Sequence, residues 1–212
     1  MTNKTLKFYL IHIIVLIISI ACLLMNGPMR GGLPIDNTLV ERMTFIGQNQ
    51  LLWSVSWGVW MASALGLFIF CTMLADELPS SFMRTTGLAF VGLGIAPDLI
   101  AEVIYAFILP QVVVQHLGES NFAFLEILAA HLTGFLGNGL YNLGGIILTL
   151  LLVKQGVIKG WISTWGISAW ILGLLLSASI AIGSMQLAEI FTASSMVLST
   201  VWMLIFAYKV IR

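Results

Sequence analysis

Charge is what this chain has least of. Only 8% of its 212 residues are Asp, Glu, Lys or Arg, against about 25% in an ordinary soluble domain. So little polar surface cannot coat a particle that faces water, which excludes a soluble globular fold and leaves lipid as the main solvent. Nine cations balance nine anions, so there is no basic patch to neutralise phosphates and no nucleic-acid partner is expected. Cysteine is nearly absent. Cys22 and Cys71 both fall inside apolar runs, where a thiol behaves as a small hydrophobe, and no disulfide framework is expected. The chain also lacks HExxH, GxSxG, a P-loop and any cysteine pair at metal spacing, which removes support for the familiar zinc protease, hydrolase and nucleotide sites.

Apolar sequence fills the space that charge leaves. Hydrophobic residues make up 59% of the chain, and they gather into six windows of the roughly 20 residues that a membrane helix needs. The windows are 6–25, 50–75, 85–110, 123–153, 161–183 and 186–208. Turn formers or charges separate them: Asn26-Gly27-Pro28, Asp76-Glu77-Leu78-Pro79, Pro110, Lys154 with Lys159-Gly160, and Gly183-Ser184. The runs are continuous and do not alternate, so they predict helices and not barrel strands. The expected fold is all-α: a single six-helix transmembrane domain over 1–212, with an extracytoplasmic loop at 26–49.

Cations give the expected direction. Lys4, Lys7, Arg84, Lys154, Lys159, Lys209 and Arg212 fall on one side of a six-span chain, while only Arg30 and Arg42 fall on the other. Cations are retained on the cytoplasmic side, so both termini are expected there. The first span resembles a secretory signal, with Ser19-Ile20-Ala21-Cys22 as a poor lipoprotein cleavage box. Its apolar run is longer than a signal core, and its removal would spoil the charge asymmetry, so it is expected to stay. The 26–49 loop could form a lid. The plainer expectation is a surface loop whose short amphipathic stretch near Leu39 to Ile46 rests on lipid headgroups.

At about 1.5 Å of rise per residue, polar groups can be placed by depth. Asp98 and Glu102 come about 21 and 27 Å above Arg84, Asn142 and Asn138 about 18 and 24 Å above Lys154, His131 about 35 Å above Lys154, and Glu189 near 30 Å above Lys209. These groups therefore share one half of the bundle. Gly87, Val91, Gly94, Asp98, Glu102 and Tyr105 form one stripe at helical spacing, and His131, Phe135, Asn138 and Asn142 form a second. Pro97 frees the carbonyl of Leu93 beside Asp98, a place for water or a cation. Glu126 points about 140° away from His131 and is expected at the water interface.

Acids inside a membrane face the bundle interior and often mark function, and two acids one turn apart repel unless a proton is held between them. Asp98 and Glu102 are thus the catalytic candidates, with a protonated member of the pair as general acid. Asn138, Asn142, Tyr105, His131 and Glu189 are candidate ligand-binding groups, and Trp57 and Trp60, which follow Trp53 at helical spacing, could floor an aromatic pocket. The plainer reading makes the acids a helix lock and the tryptophans an interface belt with core packing. Asp98, Glu102, His131 and Glu189 carry donors suited to zinc, iron or manganese, but their spacing does not demand a metal, and no cofactor is assigned.

The segment Trp53-Ser54-Val55-Ser56-Trp57-Gly58-Val59 resembles Trp161-Ile162-Ser163-Thr164-Trp165-Gly166-Ile167, and the two start from opposite sides of the membrane. That is the pattern of an inverted repeat in transporters, although the other span pairs show no such match. From Gln50 onward the chain resembles six-span bacterial integral membrane proteins grouped as a domain of unknown function. The resemblance rests on Trp53, Trp57 and Trp60, on Asp98-Leu99-Ile100-Ala101-Glu102 with Pro110, on Asn138-Gly139-Leu140-Tyr141 and on the segment from Gly166 to Gly173. It implies a multi-pass protein of the bacterial cytoplasmic (inner) membrane and no particular activity. Three functions are expected in order: an intramembrane polar pocket, open outward, that binds or processes a hydrophobic small molecule or lipid; a proton- or cation-coupled transporter; and a non-catalytic assembly or scaffold subunit. Membrane lipids are the expected partners, and no oligomeric state is assigned.

Overall fold

The computed structural model describes residues 2–212. Its first span is α1 (Asn3–Asn26), followed by a single turn of 3₁₀ helix at Arg30–Gly32 and a short helix, α2 (Leu39–Gln48). The second span is α3 (Gln50–Asp76). The third joins α4 (Phe82–Val103), a π-helical turn at Ile104–Ile108 and α5 (Leu109–Val114) into one run. The fourth likewise joins α6 (Glu119–Ala130), a π-helical turn at His131–Gly137 and α7 (Asn138–Lys154). Next come α8 (Trp161–Ala181) and α9 (Met185–Phe206), the latter closing with a π-helical turn at Ala207–Ile211. Among the described residues six helices are thus long and apolar enough to cross a membrane, and the protein is a multi-pass six-helix bundle.

Pro110 does not end the third span. A proline lacks the N–H that would bond the carbonyl four residues back, here Ala106, and the neighbouring π turn shifts the Leu109 N–H onto the Ile104 carbonyl, releasing that of Tyr105. Both freed carbonyls are taken up by α3: Trp53 Nε1 donates to Tyr105 O at 2.7 Å and Ser54 Oγ to Ala106 O at 2.6 Å. The irregular backbone is therefore sealed inside protein, as a membrane interior requires.

The spans form a closed ring in the order α1, α3, α4, α7, α8, α9 and back to α1, and α3 also meets α7 across it. Glycine sets the tightest crossing. A Cβ on Gly94 would lie 2.7 Å from Tyr141 N, and one on Gly144 would lie 2.9 Å from Val91 N, so α4 and α7 pack backbone against backbone. At the end of the ring that carries both termini, Phe70, Leu74, Leu148, Leu152 and Phe206 fill the interior completely. Lys7 pairs with Asp76 and Glu77 there. Leu16, Leu23, Leu51 and Leu93 are among the apolar side chains on the outside of the ring, where lipid is the fitting solvent.

The opposite end is closed by the 26–49 segment, which is folded onto the bundle. Met29, Leu33 and Ile46 are buried with Trp53, Trp57 and Phe122. Gly32 lies directly against the Trp53 ring, leaving no room for a side chain. Helix α2 starts on a capping box in which Thr38 and Glu41 bond each other's backbone N–H. That hydrogen bonding holds the exposed Glu41 carboxylate below its ordinary pKa. Two arginines pin the segment to the fourth and sixth spans. Arg42 forks onto Glu126 of α6, Nε to Oε1 at 3.0 Å and Nη2 to Oε2 at 2.6 Å. Arg30 bonds Glu189 of α9 at 2.8 Å and Asp36 at 2.6 Å, which pushes its own pKa up. Glu126 is therefore a buried ion-pair partner and not an interfacial acid: α2 covers it and brings Arg42 to it.

Candidate functional site

Beneath that roof lies a cavity of about 370 Å³ bordered by residues of all six spans, within the range of small-molecule sites. Gly32, Leu33, Pro34 and Ile35 line it from above, and Leu67, Trp170 and Met203 line it at depth. Its walls are mostly apolar. Three acids break them: Asp98, Glu102 and Glu189.

Asp98 and Glu102 reach the interior because α4 carries Gly87, Val91, Gly94, Asp98 and Glu102 on its buried face. Asp98 is 6% exposed and Glu102 only 2%. Thr133, from the π turn of the fourth span, lines the cavity along with Asp98. Gly137 lies against Asp98, for a Cβ there would sit 3.2 Å from the Asp98 Cβ. Glu102 Oε2 is buried and finds no hydrogen-bond partner among the described residues. The same is true of the indole N–H groups of Trp57 and Trp60, which also line the cavity. Buried polar atoms are nearly always paired, and each orphan costs about 1–3 kcal/mol. One acidic oxygen and two indole donors around one cavity are therefore an unmet demand for a polar group.

The other expected site residues divide. Tyr105 lines the cavity, stacked on Trp57 with ring centroids 4.2 Å apart and planes 6° apart, and its hydroxyl donates to Glu126 O at 3.4 Å. Asn138 and Asn142 line it too, but their amide N–H groups serve their own helix: Asn138 Nδ2 bonds Thr133 O at 3.1 Å and Asn142 Nδ2 bonds Asn138 O at 2.7 Å. Glu189 stands at the cavity margin under the roof, tied to Arg30. His131 is not brought to the site. It is exposed, it is not a lining residue, and its Nδ1 contacts Ile127 O at 2.9 Å. Leu93 likewise lies on the exposed face of α4, so the carbonyl freed by Pro97 offers nothing to the cavity. Among the described residues, no three His, Cys, Asp or Glu side chains gather as a metal centre would need.

Several members of the site were not foreseen. Thr133 carried no charge to mark it. Ser63, Cys22 and Met196 line the cavity as ordinary residues of apolar spans. The roof residues could have been suspected from arithmetic on charge, because the loop end holds only two cations, Arg30 and Arg42, and each is spent on an acid from a distant span. No protein-family model, curated protein or solved structure matches the chain, so the chemistry of the site stands on its own residues.

Proposed function

We propose that this is a membrane-embedded binding protein for a hydrophobic small molecule or lipid, whose apolar body fills the cavity and whose polar end meets Asp98 and Glu102. The observation that carries this reading is the unpartnered Glu102 Oε2, buried beside a cavity of small-molecule size. A structural helix lock would satisfy its own acids, as Arg42 and Glu126 do. Where the bound molecule is also processed, a protonated member of the pair serves as general acid. The seven cations at the terminal end against two at the roof support termini in the cytoplasm and a roof that faces out, and the resemblance noted above supports a bacterial cytoplasmic membrane.

Two measurements test this. Native mass spectrometry of the protein released from lipid nanodiscs should find a co-purifying small molecule or lipid. Ala64→Phe, which pushes a ring into the cavity from α3, should displace it without loss of the folded bundle. A clean wild-type mass, with no adduct from several lipid sources, overturns the binding reading. For orientation, a cysteine at Pro34 should react with an impermeant maleimide from outside intact cells, and one at the exposed Gln155 only after permeabilisation. The reverse pattern overturns the topology.

A further inference from the structure

The charge of the cavity names the class of molecule it would hold. Every charge-bearing side chain among its described lining residues is acidic. Of the three, Glu189 is already paired with Arg30, whose guanidinium also holds Asp36. Asp98 and Glu102 are left with no Lys, Arg or His on the cavity wall. Two carboxyls one turn apart, both more than nine-tenths buried, are costly in a low-dielectric interior unless protons or a cation offset them. The aromatic side of the cavity has the same polarity. Trp57 and Trp60 lie with ring centroids 6.5 Å apart, next to Tyr105, and such rings present negative faces that attract ammonium groups.

We infer that the cavity takes a lipophilic organic cation, an amphiphile or amine whose positive centre sits between the Asp98 and Glu102 carboxylates and the Trp57 and Trp60 rings. This rests on the binding reading above and narrows it. An anionic amphiphile would meet acidic side chains and no counter-charge. A bare hard cation such as calcium takes six to eight oxygen ligands, and this largely apolar wall supplies no acidic cluster of three. An oxygen beside the cationic centre of the ligand would accept from the orphaned indole N–H groups, so amino alcohols and choline-like head groups satisfy the most atoms.

The test uses three probes of nearly equal shape: phenylbutyltrimethylammonium, the hydrocarbon in which tert-butyl replaces trimethylammonium, and phenylpentanoate. Binding is read by tryptophan quenching and by the shift in melting temperature, in nanodiscs of zwitterionic lipid, with empty nanodiscs correcting for partition. The cation should bind about tenfold or more tighter than its uncharged isostere, and the carboxylate weakest. Glu102→Gln and, separately, Asp98→Asn should each bring the cation's affinity down to that of the isostere measured on the same variant. Both variants keep side-chain size, and their elution and unprobed melting temperature report folding. If the isostere binds as tightly as the cation, or if both variants keep the preference, the cation inference is overturned and the apolar pocket stands. If neither the cation nor the isostere binds, both readings are overturned together.

Discussion

The two ends of this bundle spend their aromatic residues differently. At the terminal end Phe70, Trp202 and Phe206 pack largely edge to face at centroid distances of 5.4 to 6.0 Å, with Leu74, Leu148 and Leu152 completing a close-packed interior. At the roofed end Trp53, Trp57, Trp60 and Tyr105 stand beside empty volume. Polar accounting separates the ends in the same way. Trp202 Nε1 is the one buried orphan of the terminal end, whereas Ser56, Trp57, Trp60 and Glu102 each leave one at the roofed end, among the described residues. A close-packed interior gains dispersion from every contact, so a fold leaves such a void where something else restores contacts and hydrogen bonds. Close packing is thus concentrated near the termini and open volume under the roof.

Breaking the roof should have the largest effect. Arg42→Ala strands a buried Glu126, and removing one partner of a buried pair costs about 3–5 kcal/mol. Arg42→Met with Glu126→Leu should recover most of that loss, as measured by unfolding in bicelles. A single change that costs as little as the double change would mean that the fork holds nothing in place. The contrast between the ends comes next. Phe70→Ala in the close-packed interior should cost about 3–4 kcal/mol, and Leu67→Ala at the cavity wall clearly less, because a half-buried side chain has fewer contacts to lose. Equal costs would erase the distinction between the two ends.

Smaller effects sharpen the picture of the roof. Thr38→Ala removes the N-cap of α2 and should cost about 1 kcal/mol, with faster hydrogen exchange confined to residues 39–48. The smallest effect follows pH. Glu41 has a lowered pKa in the folded protein, so its contribution is present above its ordinary value of 4.5 and is lost as the pH falls through the lowered one. Protection against exchange over the same residues, taken relative to the intrinsic rate at each pH, should therefore fall on acidification in wild type and be insensitive to pH in Glu41→Gln. A fall of equal size in that variant would assign the effect elsewhere.

How much could be read in advance depended on what lipid enforces. The six spans were legible because a membrane demands long apolar runs, and the inward stripe of Gly87, Gly94, Asp98 and Glu102 was legible because a regular helix repeats every 3.6 residues. The rest depended on irregularity or on distance along the chain. Pro110 reads as a stop, and only Trp53 and Ser54, from another span, let the helix run past it. His131 falls on the face of Asn138 in a regular helix, but the π turn between them takes more residues per revolution, and the histidine emerges on the outside. Glu126 reads as an interfacial acid because nothing local announces an arginine 84 positions earlier.

The wide turn at His131–Gly137 makes register a heritable variable of the fourth span. Loss of one residue there, Leu136 for instance, would allow an unbroken α-helix, and the segment toward Glu119 would then turn by about 100° and draw in by about 1.5 Å. Asn138, Asn142 and the glycine crossing with α4 would keep their places, while Glu126 would swing out from under Arg42. A single in-frame codon deletion would thus unfasten the roof and leave the floor of the cavity as it was.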